Sequence, residues 1–301
     1  MAKEDAYASQ VALTEMRLQR AQKFESQGKP LHAIQIYLSV INSEHSIPQA
    51  YFSLINIYEQ MKKQDLIPRL LDAIVEDFCD DINALIFVGH YHFKSARWER
   101  VIGILDGKED KDGLAFFFVG YSFYMIHEYE KADENFVTFI DKVPDSTFVF
   151  DVQLIRAKIA IDRKKFDDAI ELLELCKQVK NDNYEVFQLS AFCFFEQGMF
   201  ANAAVEIDRA LALNKSDADL VVTASKIYLQ TEELHKAEDL LFPFVSRGTA
   251  NSEIYGLLGI TVTKMGRYTE GENYLRIAIK MDPENILLKE ALNSLSLFYT
   301  K

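Results

Sequence analysis

Histidine and cysteine are the residue types in this sequence that most often bind metals or act in catalysis, and their spacing favours neither role. His90 and His92 are two residues apart, which on a helix directs the two imidazoles to different faces. Cys79, Cys176 and Cys193 form no CxxC pair, and their wide separation does not indicate a disulfide framework. No glycine-rich phosphate-binding loop is found. We therefore predict no catalysis, no metal site and no cofactor.

The charge balance and the distribution of apolar residues restrict the class of partner. The chain carries 33 basic and 46 acidic residues, a formal net charge of −13, which opposes attraction to nucleic acid or anionic lipid. The most apolar stretch, residues 114–126, is too short for a membrane span, and residues 1–14 do not resemble a signal peptide. We therefore expect a cytoplasmic protein with no nucleic-acid partner and no membrane insertion.

Small residues recur with a fixed period in the carboxy-terminal half of the chain. Two series, each with a period of 34 residues, are Ala191, Ser225 and Gly259, and Ala203, Ala237 and Gly271. This period with two short helices per unit resembles the tetratricopeptide repeat. The last unit carries the family's pattern of large, small, turn and proline positions at Tyr255, Leu258, Gly259, Val262, Gly266, Tyr268, Gly271, Leu275, Ala278 and Pro283.

The same register, projected towards the amino terminus, keeps its phase over nearly the whole chain. It predicts one all-α domain over residues 1–301, a right-handed superhelical solenoid of antiparallel helix pairs with about eight tetratricopeptide-like repeats. The repeats span residues 14–47, 48–81, 82–112, 113–146, 150–183, 184–217, 218–251 and 252–285. Residues 286–300 have helical spacing of apolar residues, and we expect this helix to cap the last repeat.

Some residues depart from the pattern that close helix crossing requires. Ile55, Ile67 and Val101 occupy sites that the family keeps small, so we expect the helices there to be spread or shifted. Pro243 lies inside a predicted second helix and should kink or end it.

The resemblance implies that the first helix of each repeat lines a concave groove. The candidate partner-binding residues assigned to it are His90, Phe93, Phe117, Tyr121, Tyr124, Lys158, Phe192 and Phe195; Leu154 and Leu229 are assigned to the same surface. A contiguous apolar patch usually marks a binding site, so we predict contact with an apolar or amphipathic segment of a partner protein. The alternative is that these aromatic residues belong to a core made denser by the shortened third repeat.

A row of carboxylates begins the first helices of the last four repeats. The row consists of Asp151, Glu185, Asp219 and Glu253. Carboxylates in the first turn complement the helix dipole by about 0.3 to 1 kcal/mol each, which requires no ligand. If the row also faces the groove, it forms an acidic rim that attracts basic segments.

One binding mode of the family is a clamp of lysine, asparagine and arginine that holds acidic chaperone tails. The lysine and asparagine positions of that clamp are filled here by Leu18 and Gln22, Phe52 and Asn56, and Ile86 and His90. We therefore do not expect an acidic tail as the partner.

Taken together, the repeat and the groove predict a scaffold, adaptor or chaperone-like binder that holds a segment of another protein. The alternative within the binding class is a structural subunit of a larger assembly, which would use the convex face and the carboxy-terminal helix. An enzyme or a regulatory subunit with a small-molecule site is disfavoured. The sequence does not specify the partner's identity or the oligomeric state.

Overall fold

The computed structural model describes residues 2–43, 46–110 and 113–296. Within these ranges the chain forms α-helices joined by short turns, and no strand. The described helices fall into two compact units, Met1–Ser146 and Thr147–Lys301. The predicted end of the third repeat, at residue 112, and the predicted cap beyond residue 296 lie outside the described residues.

The first unit contains four helix pairs. They are α1 (Ala2–Ser26) with α2 (Pro30–Ile41), α3 (Pro48–Gln60) with α4 (Ile67–Asp77), α5 (Ile82–Lys94) with α6 (Trp98–Leu105), and α7 (Leu114–Met125) with α8 (Tyr129–Lys142). The helices of each pair pack on each other, and successive pairs pack in chain order. Each helix therefore buries its apolar residues against its neighbours in sequence.

The second unit contains four further pairs and a final single helix. They are α9 (Val149–Asp162) with α10 (Phe166–Val179), α11 (Tyr184–Glu196) with α12 (Phe200–Leu213), α13 (Ala218–Gln230) with α14 (Leu234–Ser246), α15 (Ser252–Lys264) with α16 (Tyr268–Met281), and α17 (Ile286–Ser296). The predicted all-α fold of antiparallel helix pairs with a carboxy-terminal helix is confirmed.

The turn inside every pair has the same backbone conformation. One residue in each turn is left-handed, with φ between +53° and +86°, at Gly28, Lys62, Ala96, His127, Lys164, Gly198, Glu232 and Gly266. The next residue donates its backbone N–H to a carbonyl five residues earlier, at 2.8 to 3.0 Å. This is the Schellman arrangement, which satisfies carbonyls at the end of the first helix and reverses the chain.

Small residues lie where the two helices of a pair cross. Gly259 and Gly271 are the tightest example, because a Cβ added at Gly271 would lie 2.8 Å from the carbonyl oxygen of Gly259. The equivalent residues Ala191 and Ala203 are fully buried. The small side chains let the backbones approach, and large apolar residues fill the space around them.

The second pair departs from this geometry in the expected place. Ile55 and Ile67 are both fully buried. A short 3-10 turn, Gln64–Leu66, precedes α4, which begins three residues later in its repeat than α10 or α12 do. The larger side chains are thus accommodated by a shifted second helix.

Pro243 does not end its helix. The α14 helix continues to Ser246, and the backbone N–H of Arg247 still bonds the carbonyl of Pro243 at 3.2 Å. Proline removes one N–H donor, and within one turn of the carboxy terminus that loss does not terminate the helix. The expectation that the helix ends at Pro243 is therefore wrong, and the alternative expectation of a kink stays a prediction.

The carboxy-terminal helix α17 covers the last pair. Leu288 is buried and packs into the space beside Gly256, where an added Cβ would come within 2.4 Å of the leucine side chain. It joins Leu275, Ala278 and Leu295 in one apolar cluster. This helix therefore shields apolar surface that a further repeat would cover in a longer array.

Candidate functional site

Aromatic side chains of α5, α6 and α7 form a continuous cluster in the first unit. We call Phe93, Trp98, Phe117, Tyr121 and Tyr124 the aromatic surface. Their ring centroids are separated by 5.4 Å for Phe93 and Trp98, 5.1 Å for Phe93 and Tyr121, and 6.2 Å for Tyr121 and Tyr124. Edge-to-face and tilted arrangements at these separations are favourable for aromatic pairs. The structure thus brings the predicted aromatic residues of this unit together.

The aromatic surface differs in exposure from the core beneath it. All five of its side chains are half-buried. Phe136 and Phe139 of α8 are almost completely buried, and Phe117 contacts Phe139 with a centroid separation of 5.6 Å. The cluster therefore rests on the core and keeps part of each ring open to solvent.

His90 lies at the edge of the aromatic surface and is exposed. Its ring stacks on Phe118, with centroids 5.5 Å apart and an interplanar angle of 20°. Burial, and next the positive charge of Lys94, lower the pKa of His90. The lowered pKa favours the neutral imidazole, whose ring extends the aromatic surface.

Trp98 is a member of the aromatic surface that sequence reasoning missed. It begins α6 and contacts Phe93 and Tyr121. Tyr129, at the start of α8, is similarly placed and contacts Tyr124 at 6.1 Å. Both residues are the first of the second helix in their pair. The repeat register could have shown that this position lies next to the end of the first helix.

The second unit places its predicted site residues among charged side chains. Lys158 of α9 forms an ion pair with Glu185 of α11 at 2.8 Å, and Lys226 of α13 forms one with Glu253 of α15 at 2.7 Å. In each pair the lysine lies in one repeat and the glutamate begins the first helix of the next. Two residues of the predicted acidic row therefore already have cationic partners within the chain.

Phe192 and Phe195 lie one turn apart on α11 and are half-buried. Phe192 contacts Phe166 edge to face at 6.3 Å, and Phe195 contacts Phe200 at 5.6 Å. Both partner rings belong to the first turn of a second helix, as Trp98 does in the first unit. Phe192 and Phe195 thus each contact one ring of a second helix rather than joining an extended cluster.

The acidic row lies in the first turns of α9, α11, α13 and α15. Side chains outside the row cap three of these helices: Asn183, Asp217 and Asn251 each accept a backbone N–H at the start of the following helix. These caps also recur every 34 residues, a signal that sequence reasoning did not use. Side chains outside the acidic row therefore already accept some of the unpaired backbone N–H groups at the start of these three helices.

Leu154 and Leu229 do not lie on an open surface. Both are buried, Leu154 in a cluster with Phe150 and Leu229 in one with Leu257. Phe195, at the register position of Leu229, remains half-buried instead. The assignment of Leu154 and Leu229 to the groove surface was wrong.

The titratable residues offer no converging site in the described part of the chain. No group of three or more histidine, cysteine, aspartate or glutamate residues there could hold a metal ion. Cys176 and Cys193 are buried, and burial raises the pKa of their thiols to about 11 and about 12 respectively. Burial likewise lowers the pKa of His92, with Arg97 and Arg100 adding to the shift. Among the same described residues, no helix has the length and hydropathy of a membrane span.

The chain shows limited sequence similarity to known proteins. No family profile matches the chain. Over 121 residues, 40% of this chain and 23% of its relative, it is 25% identical to the BBSome complex member BBS4 of Bos taurus. The matched stretch thus spans less than a quarter of that protein.

Two solved structures resemble the chain in fold. The crystal structure of MamA protein aligns with a TM-score of 0.51 and 18% identity, covering 58% of this chain and 93% of MamA. A chain of the crystal structure of the APC/C hetero-tetramer Cut9-Hcn1 aligns with a TM-score of 0.54 and 12% identity. The alignment covers 88% of this chain and 52% of that chain. Both are helical solenoids of the tetratricopeptide type. The chain therefore has the tetratricopeptide-repeat fold that its sequence resembles.

Proposed function

We propose that this protein is a non-catalytic scaffold or chaperone-like binder that holds an apolar or amphipathic segment of a partner protein on the aromatic surface. One observation carries the proposal: Phe93, Trp98, Phe117, Tyr121 and Tyr124 are in continuous ring contact and yet only half-buried. Soluble proteins seldom expose contiguous apolar surface without a binding role.

The composition of the aromatic surface suits protein recognition. Tyrosine and tryptophan are enriched among the residues that contribute most to interface energy, because large rigid rings bury much area at little entropic cost. The hydroxyl groups of Tyr121 and Tyr124 supply hydrogen-bonding capacity beside the rings. In the proposal, Phe192 and Phe195 with Lys158 provide a second contact region, and the acidic row favours basic portions of the partner. The free cysteines fit a reducing, cytoplasmic setting.

The experiment measures binding of uncharged peptides to the intact chain. The probe is a pool of fluorescein-labelled peptides of about ten residues, drawn from glycine, glutamine, leucine and tyrosine, followed by fluorescence anisotropy. Tyr121→Ala should weaken binding about thirtyfold, because one buried aromatic anchor contributes about 2 kcal/mol.

A matched control separates this surface from general stickiness. Tyr268 is an exposed tyrosine of the second unit, outside the aromatic surface. Tyr268→Ala should leave the affinity unchanged, and both variants should retain the helical signal in circular dichroism. Equal affinity of the wild type and folded Tyr121→Ala for the pool would reject the aromatic surface as the binding site.

A second candidate function is that of a structural subunit in a larger assembly. It is favoured by apolar side chains that remain open near the carboxy terminus: Ile277 and Met281 on α16, and Ile286 and Leu287 on α17. Leu287 is 75% exposed and lies next to the similarly open Ile286, so the two side chains are adjacent exposed apolar residues. Sedimentation velocity of wild type and Leu287→Lys distinguishes this candidate. Association that is lost in Leu287→Lys but retained in Tyr121→Ala would favour an assembly contact over a peptide-binding groove.

A further inference from the structure

The second unit repeats one ion-pair geometry at matched positions. Lys158 and Lys226 lie at the same position of their repeats, and their partners Glu185 and Glu253 lie at the same position of the following repeats. The Nζ to Oε1 distances are 2.8 Å and 2.7 Å. Two separate repeat interfaces therefore hold an ammonium group against a first-turn carboxylate.

The repeat interface between these two has different residues at the same positions. Phe192 is 34 residues after Lys158 and 34 before Lys226, and Asp219 has the same spacing from Glu185 and Glu253. Phe192 belongs to α11 and Asp219 to α13, two helices that pack against each other. By the register of the two flanking ion pairs, Phe192 and Asp219 stand at facing positions of this interface, where Phe192 is half-buried and Asp219 is exposed.

Charge and shape at this interface favour a cation from outside the chain. Among the described residues, no lysine, arginine or histidine lies within 4.0 Å of the Asp219 carboxylate. The end of α13 that carries Asp219 is already capped by Asp217, which accepts the N–H of Leu220 at 2.9 Å. Asp219 is therefore not required as the cap of its helix.

We propose that Phe192 and Asp219 form a subsite for a cationic side chain, preferably arginine, of a partner segment. The carboxylate would receive the guanidinium as Glu185 and Glu253 receive a lysine ammonium within the chain. The face of Phe192 adds an attraction that neither lysine position can supply, because a planar guanidinium stacks on an aromatic ring. The inference rests on the proposed function and specifies a charged residue of the bound segment.

The test uses three peptide pools that differ in one central residue. Flanking positions are drawn from glycine, glutamine, leucine and tyrosine as before, and the centre is arginine, lysine or citrulline, which has nearly the shape of arginine without its charge. The arginine pool should bind the intact chain about tenfold more tightly than the citrulline pool, since an exposed ion pair and a cation–π contact together account for about that factor. The lysine pool should fall between them.

Variants assign this preference to the subsite. Asp219→Asn keeps the shape of the side chain and should bring the arginine and citrulline pools to the same affinity. Phe192→Lys should do the same, because the introduced ammonium would pair with Asp219 as the ammonium groups of the two neighbouring interfaces pair with their glutamates. Glu290→Gln, at an exposed carboxylate of α17 outside the acidic row, is the matched control and should leave the arginine preference intact. Lys226→Phe should increase the preference by creating a second ring beside Glu253.

The outcomes separate this inference from the proposed function. Equal binding of the arginine and citrulline pools to the wild type, with binding still dependent on Tyr121, overturns the subsite and leaves the proposed function standing. An arginine preference that persists in folded Asp219→Asn also overturns it. An arginine preference that Asp219→Asn removes, with no effect of Tyr121→Ala, supports the subsite and rejects the aromatic surface.

Discussion

The first helices of the two units carry different chemistry at matched positions of the repeat. In the first unit, His90 and Tyr121 occupy the position that Lys158 and Lys226 occupy in the second. The first-unit residues join a cluster of stacked and tilted rings, whereas the second-unit lysines form ion pairs across repeat interfaces. One backbone arrangement therefore presents an apolar surface in one unit and a charged surface in the other.

This difference shows which positions of the repeat determine the fold and which remain free to vary. The crossing positions stay buried in both units and are small at Ala21 and Ala33 and at Ala157 and Ala169, with Ile55, Ile67 and Val101 as the larger exceptions. Changing them would separate the helices. The surface positions change from aromatic to charged without altering the helix pair, so their chemistry is available for recognition.

The largest expected effect tests whether the aromatic surface is distinct from the core. Phe136→Ala should destabilise the fold by about 3 to 5 kcal/mol, because its fully buried ring fills the space beside Gly120. Tyr121→Ala should cost less than half as much, since its ring is already partly solvated. Urea unfolding followed by circular dichroism measures both. Equal losses would mean that the aromatic surface is part of the core and would remove the contrast between the units.

The fold was predictable from sequence because its determinants are periodic. The crossing residues recur every 34 positions, and a steric requirement of that kind appears directly in residue type. The shift at Ile55 and Ile67 was predictable for the same reason: large side chains at a crossing displace a helix. The helix was expected to be able to end at Pro243 and does not, because the effect of a proline depends on its distance from the helix end.

The candidate site was less predictable, because the exposure of a side chain depends on the residues packed around it, and the repeat register does not specify those. The register assigned Leu229 and Phe195 to equivalent positions, yet Leu229 is buried and Phe195 is half-buried. It also did not specify that Glu185 and Glu253 form ion pairs with lysines of the preceding repeat. Asp110, in a segment rich in charged residues, is buried and accepts the N–H of Ala115 at 2.8 Å. Such pairings depend on side-chain reach between elements.

A smaller loss in the free energy of unfolding is expected when ion pairs of the second unit are broken, and its size should differ between a buried pair and an exposed one. Lys177 of α10 contacts Glu206 of α12 at 2.8 Å, with both side chains 10% exposed. Lys177→Met should cost about 2 kcal/mol, because it leaves a buried carboxylate with only Arg209 as a cationic partner. Lys158→Met, at a more exposed pair, should cost below about 1 kcal/mol.

Denaturant unfolding of both lysine variants measures the two losses in stability. Repeating the measurement in moderate salt separates the two kinds of ion pair further. Moderate salt should erase most of the effect of Lys158→Met and little of the effect of Lys177→Met, since buried pairs are screened less. If the two variants lose equal stability, the surface pair at Lys158 is a structural element, and its position is not available for recognition.

The smallest expected effect concerns the cooperativity of the two units. Trp98 is the single tryptophan and lies in the first unit, whereas Cys176 and Cys193 are buried in the second. Tryptophan fluorescence and cysteine alkylation at pH 8 therefore report the two units separately. The sequence predicts one repeat array, in which each repeat stabilises its neighbours, so the two urea midpoints should coincide within error.

The cysteine signal is specific to unfolding because the native thiols are protected in two ways. Burial keeps iodoacetamide away, and the raised pKa values of about 11 and about 12 leave almost no thiolate at pH 8. Unfolding returns the pKa of both thiols to near 8.5 and increases their reactivity more than about a hundredfold. Cys79 is exposed and would react in the native state, so it is replaced in Cys79→Ser beforehand. A fluorescence midpoint clearly separated from the alkylation midpoint would show that the units unfold independently, and the prediction of a single cooperative domain would be wrong.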